Sequence, residues 1–316
     1  VFQSSTGTIR NTTELLTPVV GFCFIYYPFY YFAKRGLITT KFITTFIYIV
    51  FGFATFSYFT SYQTVMSDYD SQYGTSNNVG YLFACCMPML GLLWDKRKRT
   101  FYVLMFIALA FALFSAKRGA MLCSLASFAV MFLCTLGSRG NRKGRFGRVL
   151  LVLIIAAVGV YLFMYMLESN ANLQTKMDAT EEGNYSGRDV FYLALLDYWL
   201  SADTIHKIFG IKFMGAVGVA GFDAHNDWLE ILIDAGILGA FLYLSMMVTL
   251  WVYTFRNRKY LSYSDEYTLL ACAVVWLIKS LVSMGFTTPE TRMYIIPFAV
   301  VSGLIEIRKQ NKYVGL

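Results

Sequence analysis

His225 to Tyr253 reads HNDWLEILIDAGILGAFLYLSMMVTLWVY. Its first ten residues carry an imidazole and three carboxylates; from Ile237 to Tyr253 no charged residue follows. A run that apolar and that long fits a helix crossing a bilayer, and the polar stretch before it then lies at the membrane surface. At that depth a histidine can take a proton from a substrate held at the surface.

The rest of the chain extends this pattern. Its 316 residues are 57% hydrophobic, 18% aromatic and 15% charged, and the mean hydropathy is +0.53. Disorder and an ordinary soluble domain are excluded by such values. Apolar runs of spanning length lie at 15–33, 41–60, 78–94, 100–115, 119–136, 148–167, 237–255, 267–285 and 293–307. They are continuously apolar rather than alternating, which predicts helices and not barrel strands. The expected fold is therefore all-α: a polytopic membrane bundle of about nine spans, with a long extracytoplasmic loop that holds short amphipathic helices. Its expected parts are amino-terminal membrane helices over 1–167, a catalytic loop over 168–236 and carboxy-terminal membrane helices over 237–316.

Basic residues set the orientation. Segments 34–41, 95–99, 137–148, 256–266 and the tail after 307 hold two thirds of the 27 lysines and arginines, which assigns them to the cytoplasm. The net charge of +8 is mostly this topological bias, so no nucleic-acid partner is expected. The opposite side carries the first 14 residues, loops at 61–77 and 286–292, and the long segment 168–236; connections of that length are usually functional. The six cysteines fall within the expected spans with no C-x-x-C pair, and are read as apolar packing residues.

Among the basic residues left outside these segments, four stand out: Arg118, Arg188, His225 and Arg292. Arg118, in Ser115-Ala116-Lys117-Arg118-Gly119, is either a snorkelling anchor at a helix end or a phosphate ligand, with Gly119 admitting a headgroup close to the backbone. Arg188 opens an aromatic-rich helix from Asp189 to Ser201 of interfacial length. An arginine in a first turn opposes the helix dipole unless an anion joins both; the competing reading is a salt bridge to Glu181, Glu182 or Asp189. Arg292 either pairs with Glu290 or joins the other arginines. Asp223 or Asp227 is placed to orient the His225 ring. His206 is the other histidine, and no zinc-ligand spacing surrounds either. Asp68-Tyr69-Asp70 matches a D-x-D metal pattern that any acidic loop produces. Lys279, near the outer end of its helix, is read as a snorkelling residue, and Asp234 is expected to face protein or water rather than lipid.

His225-Asn226, nine residues, Gly236 and Gly239 together resemble the motif of bacterial O-antigen ligases, and the related region of O-antigen and capsule polymerases. Ser115 to Gly119, Ser186 to Arg188 and Ile208 to Gly210 precede it in the family's order, so the resemblance covers about 100–255; the family usually has a small residue or serine where Lys117 stands. It implies transfer of a glycan from undecaprenyl diphosphate to an acceptor hydroxyl, on lipid A–core for a ligase or on another glycan for a polymerase. His225 would be the general base and Arg118 and Arg188 would bind the diphosphate, with Arg292, beyond the stretch that the resemblance covers, a further candidate; Asn226, Asp223, Asp227, Gly236 and Gly239 would support them. No cofactor and no metal is expected. Membrane lipid is the remaining partner. The family has about twelve spans, and this chain starts at Val1, so an upstream portion with further spans is expected. A secondary transporter or flippase is the rival of another class; it predicts ionisable residues at mid-membrane, where this sequence has almost none.

Overall fold

The computed structural model describes residues 24–67, 78–115, 117–137, 161, 188–221, 223–286, 288 and 290–314. Outside them lie all of the expected span 148–167 but residue 161, most of the loop 61–77 with Asp68-Tyr69-Asp70, the basic segment 138–148, and 168–187 with Ser186 and Gly187. The described residues form helices and no strand: α1 (Tyr26–Lys34), α2 (Thr40–Ser67), α3 (Val79–Cys86), α4 (Lys98–Phe114), α5 (Arg118–Gly137), α6 (Arg188–Ser201), α7 (Thr204–Phe209), α8 (Gly215–Ala220), α9 (Asp227–Arg256), α10 (Tyr263–Val282) and α11 (Thr291–Val314). The all-α expectation holds for them.

Two stretches, Thr40–Thr60 within α2 and Asp227–Arg256, are long and apolar enough to cross a membrane. The Thr39 hydroxyl starts α2 by accepting the Phe42 N–H. One expected span is not a continuous α-helix. The run 78–94 leaves α3 for a 3₁₀ segment, Met87–Leu93, because Pro88 has no N–H to give the preceding turn. All of this segment but the half-buried Leu92 is interior: Met87, Leu90 and Leu93 pack in one cluster with Phe51 of α2 and Phe101 and Met105 of α4, with Phe83 stacked on Phe111.

A second apolar cluster joins α9, α10 and α11 through Tyr243, Trp276, Tyr294 and Phe298. A small third one, Leu195, Ala216, Ala224 and Ile233, seats α6 and α8 against the start of α9. The helix expected over Asp189–Ser201 is α6, 14 residues long.

Helix α10 connects two chemically different ends, about 30 Å apart at 1.5 Å per residue. At its start, Ser262 and Asp265 form a capping box. There Ser264 donates to Asp95 at 2.6 Å, Arg258 pairs with Glu266 at 2.9 Å and Arg308 reaches both Tyr260 O and Asp265. Three basic segments (95–99, 256–266 and the tail after 307) thus meet at one end. The candidate residues gather at the other.

Candidate functional site

Helix α9 begins at Asn226, whose extended backbone lets its Oδ1 accept the N–H groups of Trp228 and Leu229 at 3.0 and 3.2 Å. Its Nδ2 donates to Leu281 O at 3.2 Å, tying this start to the last turn of α10. His225, half-buried, immediately precedes the cap with φ +50°. Among the described residues only Met214 and His225 combine a side chain with positive φ. Such a conformation costs energy and persists only when its surroundings hold it; here the Asn226 cap and tie do so.

Asp227 is 3% exposed. Its carboxylate accepts the Tyr243 hydroxyl at 2.7 Å and the N–H groups of Gly285 and Phe286 at 2.9–3.2 Å. Trp276 Nε1 donates to Tyr243 Oη at 2.8 Å. These bonds commit Asp227 to the loop after α10, a structural duty absent from the expectation that it orients His225. Asp223, half-buried, remains the other carboxylate named for that role.

The two motif glycines also have physical reasons. Gly236 (φ +67°, ψ −168°) breaks α9 in its third turn. The Ile233 carbonyl, before that break, accepts Ile211 N–H at 3.0 Å. A Cβ on Gly236 would overlap Ile208 O and stand 2.6 Å from Gly210 N, while one on Gly210 (φ +75°) would overlap the Asp234 backbone. The chain at Ile208–Ile211 thus docks backbone to backbone on the broken helix. Gly239 has no room for a Cβ beside that of Ala235. Asp234 faces protein as expected: its carboxylate accepts Met214 and Ala216 N–H at 2.7 and 2.9 Å, starting α8.

Arg118, half-buried, opens α5, and Arg292, also half-buried, lies in the first turn of α11. A Cβ on Gly119 would overlap the Tyr81 hydroxyl and stand 3.2 Å from Val282 Cγ2, so the space expected for a headgroup beside Gly119 is taken by Tyr81. Since Asn226 bonds to the adjacent Leu281, the Arg118 turn and the His225 turn meet at the same end of α10. Arg292 joins them through the loop 283–290, which Asp227 holds by its backbone. Arg188 opens α6, but its side chain lies outside the described residues.

One residue of this end corrects the sequence reading: Lys279, expected to snorkel, is turned inward instead. Lys279 is 1% exposed. Its Nζ donates to Met284 O and Thr288 Oγ1, lies 3.8 Å from Glu290 Oε2 and stands 5.0 Å over the Tyr81 ring. It therefore fastens the loop 283–290 from beneath while its ring contact touches the residue beside Gly119. The visible signal was a lone lysine inside an apolar helix, which marks function by default. His206 is instead an exposed member of the α7 cap, its Nδ1 2.8 Å from Asp203. Cys85, Cys86, Cys123 and Cys272 are buried and free.

No protein-family model matches this chain, and no curated protein sequence matches it either.

Proposed function

We propose that the chain is a glycosyltransferase of the O-antigen ligase kind, embedded in the bacterial cytoplasmic membrane by about nine spans with its active site on the extracytoplasmic face. It moves a glycan from undecaprenyl diphosphate to an acceptor hydroxyl. The observation that carries this reading is the meeting of the His225 turn, Arg118 and the Arg292 loop at the end of α10 opposite the basic segments.

Membrane insertion is supported by the surfaces of the long helices. Thr40–Thr60 and Asp227–Arg256 are no more than a third buried, and they expose Ile49, Phe53, Phe56, Phe59, Phe241 and Val248. A core helix of a soluble domain would bury such residues, and contiguous apolar surface of that extent needs lipid or protein against it. The positive-inside bias puts the basic end in the cytoplasm and the His225 end outside.

The chemistry follows from the groups present. The acceptor oxygen attacks the anomeric carbon as its proton passes to an imidazole nitrogen of His225. The bond from that carbon to the bridging phosphate oxygen breaks, and its electron pair stays on the diphosphate. Arg118 and Arg292, with Arg188, neutralise the growing negative charge through charge-assisted hydrogen bonds. Single displacement inverts the anomeric centre. Guanidinium groups in this role make a resident metal unnecessary. The strained, capped turn under His225 suits a base that must hold one orientation.

The test is His225→Ala in the source cell, with surface glycan resolved on a gel and expression checked by immunoblot. Core lipid without polymer, together with accumulated lipid-linked polymer, is the expected ligase phenotype. Core capped by single repeat units would assign the same machinery to a polymerase. A wild-type ladder from normally expressed variant would remove His225 as the base and overturn the proposal.

A further inference from the structure

At the basic end of the molecule, opposite His225, α9 and α10 leave a narrow groove between them, about 90 Å³ in volume. Trp251 and Phe255, their rings stacked 6.2 Å apart, line it from α9 and Leu270 from α10; the buried Ala273 and Phe298 lie beneath. Phe255 is exposed, and Val252 and Val248 continue that exposure along α9. The groove therefore opens onto the apolar surface that the long helices present. A volume so far below the roughly 300–1,000 Å³ of a drug-sized pocket admits a slender chain rather than a ring system. Its lining runs from Leu250 to Phe255 and from Glu266 to Ala273, about 8 and 11 Å at 1.5 Å per residue. Both lengths fit within the hydrocarbon of one leaflet, roughly 15 Å.

The polar end of this groove selects its occupant. Arg258 and Glu266 both line it, paired Nε to Oε1 at 2.9 Å. That pair uses one of the five guanidinium donors. The Arg258 side chain stays 66% exposed, and its two terminal amino groups bond to no described residue. They form the fork that takes a phosphate through two parallel hydrogen bonds. An exposed ion pair is weak by itself, so Glu266 steadies the guanidinium without consuming it. Arg256 and Lys259 flank Arg258, both exposed and neither paired with a carboxylate among the described residues, whereas Arg308 is matched by Asp265 and Lys309 by Glu306. Three cations facing one carboxylate leave a positive excess at the mouth, all within about one Debye length, ~10 Å.

We infer that this groove binds an anionic diacyl phospholipid of the inner leaflet, its phosphate on the open fork of Arg258 and one acyl chain between Phe255 and Leu270. Basic pockets between helices on the cytoplasmic side are where such headgroups bind. A zwitterionic phospholipid carries the same phosphate but no net charge, so the positive excess sets the preference between them. The inference rests on the membrane placement and orientation of α9 proposed above, and not on glycan transfer.

Native mass spectrometry of the full chain in detergent tests this with two probes of matched acyl chains, phosphatidylglycerol and phosphatidylcholine. Wild type is expected to prefer phosphatidylglycerol by about fivefold. Arg258→Gln, at a position exposed enough to leave the fold intact, should bring the two lipids nearly level. Arg258→Lys keeps the charge, loses the fork and should fall between. Leu270→Trp, at a half-buried position, narrows the groove and should lower the binding of both. Equal binding of the two probes by wild type would overturn the inference, as would a preference unchanged in Arg258→Gln or binding unchanged in Leu270→Trp. A two-chain species free of lipid as the main mass would give the groove to a second copy instead. Failure of the transferase reading in His225→Ala leaves the expected lipid selectivity unaltered, so the two proposals fail separately.

Discussion

Replacing Gly236 by alanine tests whether the break in α9 holds the His225 region together. In the present backbone, alanine at φ +67° carries a left-handed cost of about 1–2 kcal/mol. The added Cβ also meets Ile208 O and Gly210 N, backbone atoms that cannot swing aside as a flexible side chain would. Undocking Ile208–Ile211 relieves the overlap but loses the Ile211–Ile233 hydrogen bond, worth about 1 kcal/mol. It also strains the Asp234 cap of α8, whose bonds to a charged group are worth roughly 1.5–3 kcal/mol each. Alanine further favours a continuous helix over glycine by about 1 kcal/mol, so the variant gains by closing the break. Together these put the loss at about 3 kcal/mol, borne by the docked segment rather than by α10 or α11. Hydrogen–deuterium exchange on the full chain in detergent reads it directly. Peptides from 204–221 should lose protection by about a hundredfold, the factor that 3 kcal/mol represents, while peptides from α10 stay unchanged. The exposed neighbour substitution Ile237→Ala serves as control. Unaltered protection of 204–221 in Gly236→Ala would refute the argument that this glycine is required by backbone contact.

Three further outcomes are expected. Asn226→Ala removes both the α9 cap and the tie to Leu281 O, so the first amides of α9 should exchange faster by the equivalent of about 1–2 kcal/mol; Asn226→Ser, which keeps a capping oxygen, should restore about half of that, and equal exchange in all three proteins would count against the cap. Lys279→Met leaves Glu290 and the Met284 carbonyl without their buried cation, a loss of roughly 3 kcal/mol by analogy with broken buried pairs. Thiol labelling of a Ser283→Cys reporter should therefore accelerate in Lys279→Met, and an unchanged rate would show that the loop does not depend on the lysine. At Asp203, the backbone N–H of His206 and then its ring hold the carboxyl below the ordinary aspartate value of 3.8. The folded pKa is depressed, so this cap is fully effective above the ordinary value and is lost as pH falls through the depressed one. The His206 amide shift followed by NMR should change in that acid window, and an Asp203→Asn protein should show no such step.

Much of the fold was legible because hydropathy and capping are local properties. The apolar run after Gly236, the interfacial length of α6 and the basic segments that meet near Asp95, Arg258 and Arg308 could all be read without knowing what they touch. His225-Asn226 and the two glycines were visible as a pattern too, although the pattern does not say that Asn226 is a cap and Gly236 a break. The run 78–94 shows the limit: its hydropathy is that of a span, yet Pro88 converts its second half to a largely buried 3₁₀ segment.

Sequence alone determined an all-helical chain with its charged chemistry divided between two ends, since apolar spacing and charge bias need no partner to be recognised. Tertiary structure decided which polar groups act together. Asp227 serves a loop 58 residues later in the chain, and Lys279 turns inward to that same loop, because a buried polar group goes wherever unsatisfied backbone donors and acceptors lie. No periodicity in the chain encodes where those are.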